Sequence, residues 1–273
     1  MKQILRRALT GAVYIILLLS AVFLSSDAFD FLFMTFGLAC LYEYKRLVAL
    51  KGYHIFIAYL ALWWLFIYLI PEQEFLNNEL LINILMFITI VVDLGLLYFL
   101  FTKENKKLNR VKKYIIGLFY IGGGCIFLTM IPYKDQTFAE YLIMGVFIII
   151  WVNDTFAYLV GSAIGRTKLY PAVSPKKTIE GALGGLIFAL IAAYFISHYE
   201  PIISPIEWMA LAATIVVAGS LGDLVESKFK RLAGVKDSGA ILPGHGGMLD
   251  RLDSLVFAAP FAYLILNIFT YVS

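Results

Sequence analysis

Asp223, Glu226 and Lys230 stand at i, i+3 and i+7, which places them on one face of a helix. Asp250 and Asp253 stand at i and i+3 at the start of another. Between them runs Leu242-Pro243-Gly244-His245-Gly246-Gly247, a tight glycine-rich turn. Two carboxylate-bearing helix ends joined by such a turn can converge. Ser227, Lys228, Arg231, Lys236 and Arg251 crowd the same stretch, Gly222 to Asp253. Aspartates beside lysines suit Mg²⁺ held together with phosphate oxygens. His245 could act as a general base, hydrogen-bond its own loop or touch a phosphate.

Two more segments could do chemistry. Asn153 and Asp154 lie well inside an apolar stretch, where a carboxylate is costly unless paired or wet. Asp154, Tyr158 and Gly161 are spaced i, i+4, i+7 and share a face, so that face should line a polar cavity. Ser174-Pro175-Lys176-Lys177-Thr178 then precedes another apolar run. Pro175 breaks helix, and two lysines beside a helix N-terminus form a natural phosphate site. The glycine pattern of a P-loop is missing.

The elements that must position these groups are membrane helices. The chain is 61% hydrophobic and only 15% charged, against roughly 25% charged in a soluble domain. Its mean hydropathy is +0.84. The apolar runs approach the roughly 20 residues a helix needs to cross hydrocarbon. They are continuous rather than alternating, which excludes a β-barrel. The expected fold is all-α and polytopic, with about nine transmembrane helices near 8–25, 28–43, 55–70, 80–101, 114–131, 138–161, 181–197, 206–226 and 252–269. The apolar N-terminus reads as a retained first helix.

With these spans, Lys134 alone among the 22 basic residues falls on one face; the others share the opposite face. The positive-inside rule then puts the N-terminus in the cytoplasm. The basic side includes Lys45, Arg46, Lys103, Lys106, Lys107, Arg110, Lys112, Lys113 and the three chemistry-bearing segments. Such a face suits membrane lipid headgroups or a polyphosphate; the same charges could also serve topology alone. Residues 1–110 read as a scaffold half and 111–273 as a working half of one membrane domain. Asp93 is the exception in the first half, and Glu43 reads as a helix-end ion-pair partner of Lys45 or Arg46. Cys40 and Cys125 sit in apolar runs and form neither a metal motif nor a disulfide framework. Gly122, Gly123 and Gly124 should let helices approach closely.

The stretch Ser227, Lys230, Arg231, Lys236, Asp237, Gly239, Leu242 to Gly247, Asp250, Arg251 and Asp253 resembles the signature of the CDP-diacylglycerol synthases, or phosphatidate cytidylyltransferases. Asp154 to Gly161 with Gly165 and Arg166, and Ser174 to Gly181, resemble that family in the same order. No signature position departs from the pattern, and the resemblance is strongest over 145–260. It implies a reaction in which CTP and phosphatidic acid give CDP-diacylglycerol and pyrophosphate. It also implies Mg²⁺ on Asp223 and Asp250, with room for a second cation such as K⁺, and a homodimer. Asp223, Asp250, Asp253, Lys230 and Arg231 become the expected catalytic residues. Asp154, Ser174, Lys176, Lys177, Thr178, Glu226, Ser227, Lys228, Lys236, His245, Gly246, Gly247 and Arg251 become the expected substrate contacts. No nucleic-acid partner is expected. The expected location is a bacterial-type inner membrane, with the site on its cytoplasmic face.

Two other readings fit parts of the chain. A CTP-dependent lipid kinase would need a base for its hydroxyl nucleophile, giving His245 more weight. A transporter would use Asp93 and Asp154 as an ion path, but no inverted repeat is evident.

Overall fold

The computed structural model describes the backbone of residues 2–72, 78–102, 108–134 and 137–272, and the side chains of 9–71, 78–102, 108–133 and 137–269. Lys103, Lys106 and Lys107 lie outside the described residues, as do the side chains of Lys2, Arg6, Arg7 and Lys134.

Nine helical segments run through the described residues: α1 (Lys2–Leu24), α2 (Ser26–Leu47), α3 (54–72), α4 (Asn78–Phe101), α5 (Arg110–Met130), α6 (Glu140–Ile164), α7 (Ile179–Tyr199), α8 (Pro205–Leu232) and α9 (Leu249–Val272). Each expected apolar stretch lies on one of them. α4 to α9 are long and apolar enough to cross a membrane. α1 and α3 carry shorter apolar runs, Leu9–Leu24 and His54–Leu69. α2 is of spanning length but carries Asp27, Asp30, Glu43, Lys45 and Arg46.

Polar residues mark the helix starts. Ser25 accepts the Ala28 amide at 3.1 Å, and the Asn109 side chain accepts that of Lys112 at 2.8 Å. Ser204 and Glu207 form a reciprocal capping box, with Pro205 opening α8. α8 runs to Leu232, past the expected end near 226, because no breaker intervenes before Gly234. Gly234 has φ +71°, and the Val235 amide returns to the Lys230 carbonyl at 3.0 Å, closing the helix with a left-handed turn. At about 1.5 Å per residue the 28-residue helix is about 42 Å long. That exceeds the roughly 30 Å of hydrocarbon, which leaves length for its charged last turns outside a crossing.

The all-α expectation needs one amendment. β1 (Tyr133–Lys134) pairs antiparallel with β2 (Thr137–Phe138), and β3 (Lys168–Tyr170) with β4 (Ser174–Thr178). Pro175 was read only as a helix breaker. It is compatible with β4 because a two-stranded ladder leaves one strand edge unpaired.

Small residues set the helix packing. Gly181, Gly184 and Gly185 of α7 lie against Ala157, Val160 and Asn153 of α6. In α5, Gly122 meets Tyr59, Gly123 meets Thr89 and Gly124 meets Val256, so α5 is wedged among α3, α4 and α9. The backbone is π-helical across Gly117–Gly123. α8 packs on both α7 and α9, which brings the chemistry-bearing ends together.

Candidate active site

The three segments open onto one cavity of about 550 Å³. α6 contributes Asp154, Tyr158 and Gly161, the shared face expected from their spacing, and Asn153 beside them. β4 contributes Lys176, Lys177 and Thr178. α8 supplies Ser220 and Asp223; α9 supplies Asp250, Arg251, Asp253 and Ser254.

Each carboxylate is held differently. Asp223 is half-exposed and ion-paired with Lys177 across from β4. Its Oδ1 also accepts the Ser227 hydroxyl, one turn later, at 3.2 Å. Asp250 sits in the first turn of α9, where a negative charge meets free helix amides. Its Oδ2 accepts the Gly247 amide at 2.7 Å, the Ser238 amide at 2.9 Å and the Ser238 hydroxyl at 3.0 Å. Its Oδ1 accepts Lys230 Nζ at 2.7 Å, leaving one lone pair on that oxygen. Asp253 is buried and takes the amide of Ser254 at 2.7 Å. Asp154 accepts the Asn153 side-chain amide at 3.2 Å.

Lys230 lies behind this lining. Its ammonium bridges the fully buried Glu226 and Asp250. Lys230 and Glu226 thus form a counter-charge layer outside the lined cavity. Arg231 donates to the Val173 carbonyl at 3.2 Å and the Val235 carbonyl at 3.2 Å, tying the β3–β4 turn to the end of α8. Arg251 lines the cavity and donates to the His245 carbonyl at 2.9 Å. Thr178 lines the cavity, and its hydroxyl caps α7 by accepting the Gly181 amide at 3.2 Å. Ser174 pairs with Tyr170 in the ladder. Lys236 is exposed in the loop and outside the lining.

Lys228 departs from the expectation that it clamps phosphate. Its ammonium donates to the carbonyls of Phe99, Leu100 and Thr102, capping the C-terminus of α4. The added turns of α8 carry it to the side facing α4, away from the cavity. The His245 ring lies against Gly11 of α1, where a β-carbon would fall 3.3 Å from its Cε1. His245 is therefore outside the lining too, and Gly246, with φ +92°, serves the turn by accepting the Leu242 amide at 3.0 Å.

Sequence reasoning missed Ser220, Ser254, Ser238 and Glu43. Ser220 precedes Asp223 by three residues, so helical spacing could have found it. Glu43 has no such signal, because its partners lie about 200 residues away: the hydroxyl of Ser238 and the amides of Met248 and Leu249.

No three carboxylate, histidine or cysteine groups converge as a metal cage among the described residues. The donor set instead offers separate carboxylates around one cavity. This suits a hard cation that keeps its waters and arrives with phosphate oxygens.

The model of the cytidylyltransferase family matches residues 5–269. The chain is 36% identical to the phosphatidate cytidylyltransferase of Bacillus subtilis (strain 168) over 273 residues, 99% of both chains. It is 43% identical to that of Staphylococcus aureus (strain COL) over 154 residues, 56% of this chain and 57% of the relative. A match along nearly the whole length, added to a cavity built from all three motif segments, makes this chain a member of the cytidylyltransferase family.

Proposed function

We propose that the chain is a phosphatidate cytidylyltransferase: it converts CTP and phosphatidic acid into CDP-diacylglycerol and pyrophosphate. The observation that carries this reading is the convergence of Lys176, Lys177 and Arg251 with Asp154, Asp223, Asp250 and Asp253 on one cavity. A phosphatidate phosphate oxygen attacks the α-phosphorus of CTP. The new P–O bond forms as the bond to the β-phosphate oxygen breaks, and pyrophosphate leaves with that electron pair. The nucleophile is already an anion, so no general base is required. This agrees with a His245 ring packed on α1.

The barrier comes chiefly from bringing two polyanions together. Lys176, Lys177 and Arg251 are placed to offset that charge. Lys177 is paired with Asp223 before substrate arrives, and its ammonium can turn to a phosphate that enters beside it. Asp223 and Asp250 are the proposed holders of Mg²⁺, which when bound would neutralise phosphate oxygens and the growing charge on the leaving group. Asp154 and Asn153 take the nucleoside. The phosphatidate dianion offers no hydrogen-bond donor, whereas CTP offers a cytosine amine and ribose hydroxyls for a carboxylate to accept.

In this reading all nine helices span the membrane, with the N-terminus and the cavity mouth facing the cytoplasm. The common side of the basic residues supports that orientation. A homodimer, and a second cation such as K⁺, rest on the family resemblance alone. The test is to incubate purified protein with CTP, Mg²⁺ and phosphatidate. Pyrophosphate and a cytidine-bearing lipid are expected. Transfer of label from the γ-phosphate instead would identify a lipid kinase and overturn the assignment.

A further inference from the structure

We infer that Glu43 is a positioning residue for this transfer, acting on Asp250 through Ser238 and the first turn of α9; the inference rests on the proposed reaction. Glu43 comes from α2, in the half of the chain read as scaffold, and is fully buried. Its Oε1 accepts the Met248 amide at 3.1 Å. Its Oε2 accepts the Leu249 amide at 2.9 Å and the Ser238 hydroxyl at 2.9 Å. It takes part in none of the ion pairs found among the described residues. Lys45 and Arg46 face aromatic rings instead, at 4.3 Å from the centre of Tyr53 and 5.9 Å from that of Tyr42. The carboxylate is therefore balanced by free amides at a helix start and by one hydroxyl.

The glycine loop is shaped around this group. A β-carbon at Gly239 would stand 2.6 Å from the Glu43 Cδ, and one at Gly247 the same 2.6 Å. Both are closer than packed carbons approach, so these two positions admit the carboxylate only as glycine. Ser238 links it to the cavity. Its hydroxyl lies 2.9 Å from Glu43 and 3.0 Å from Asp250, with a single proton to give. Glu43 thereby fixes where α9 begins and how much of the Ser238 proton reaches Asp250. Glu43 does not line the cavity, so its effect on the reaction is indirect.

The test uses full-length protein bearing Glu43→Gln, Ser238→Ala, or both. The glutamine keeps the volume, but its amide nitrogen cannot accept a backbone N–H. Glu43→Gln should lower kcat about 10–100-fold, the usual range for groups that orient a ligating side chain, with little change in either KM. The two losses should be less than additive, because both act on the same Asp250 oxygen. Hydrogen exchange at the amides of Met248 and Leu249 should quicken in Glu43→Gln, a readout independent of turnover. Unchanged exchange overturns the inference even if the wild type proves to make a different product. Normal kcat per folded molecule, or additive losses, overturns it as well. Should Glu43→Gln fail to fold, Ser238→Ala decides: a lower kcat at unchanged Tm supports the coupling, and a normal kcat overturns it.

Discussion

Asp223 and Asp250 line one cavity in different electrical settings. Asp223 is paired with one counter-charge among the described residues, Lys177. Asp250 is locked by three donors on one oxygen and an ammonium on the other. Asn at either position keeps the size and removes the charge. We expect both Asp223→Asn and Asp250→Asn to abolish turnover while membrane insertion persists. Near-normal turnover in folded Asp250→Asn would sink the metal assignment. Asp154 gives a different prediction. A carboxylate accepts from the amine of cytosine but repels the O4 of uracil, whereas an amide can donate to O4. Asp154→Asn should therefore lower the preference for CTP over UTP in kcat/KM by about tenfold or more. An unchanged ratio would remove Asp154 from the nucleobase end. These residues were legible because their spacing is local: i, i+3 and i, i+4 relations survive without knowledge of the fold. Glu43 and Lys228 were not, since each is defined by partners more than 100 residues away.

At the scale of elements, the last turns of α8 divide their cations between two tasks. Lys230 turns toward Asp250, and Lys228, two residues earlier, turns to the open carbonyls ending α4. Helical spacing had already put Lys230 on the face of Asp223 and Glu226, whereas the carbonyls that take Lys228 lie on α4, more than 100 residues away. Lys228→Met should lose about 1.5–3 kcal/mol, typical of hydrogen bonds from a charged group, and keep its activity per folded molecule. Lys177→Met should do the reverse, with thermal unfolding nearly unchanged and turnover lost. Paired melting curves and initial rates check both; an inactive but stable Lys228→Met returns that lysine to the phosphates. The β3–β4 ribbon was hidden for a related reason. Its pairing of Lys168 with Thr178 joins residues across a turn that carries no apolar alternation. Helices, by contrast, announced themselves through long apolar runs, and all nine lie where such runs do.

For the molecule as a whole, sidedness is the consequence most open to measurement. Cys40 and Cys125 are both fully buried, so the native protein offers an impermeant thiol reagent little background. In intact cells, Glu200→Cys, after α7, should react and Lys236→Cys, after α8, should not. In inverted vesicles the pattern should reverse. The same side reacting at both positions would refute a membrane crossing by α8. α2, from the half read as scaffold, reaches the loop between α8 and α9 through Glu43.

The pairing of Lys177 with Asp223 has one more consequence. Cells hold inorganic phosphate and free nucleotides well in excess of most lipid intermediates. A cavity with an unengaged lysine would fill with whichever anion came first. Here an anion that enters alone beside Lys177 must pull the ammonium from its carboxylate and leave that carboxylate bare, so it gains little at that position. A polyphosphate that brings its own cation supplies a partner for both. In the proposed reaction the resting ion pair would thus favour guests that bring their own counter-charge.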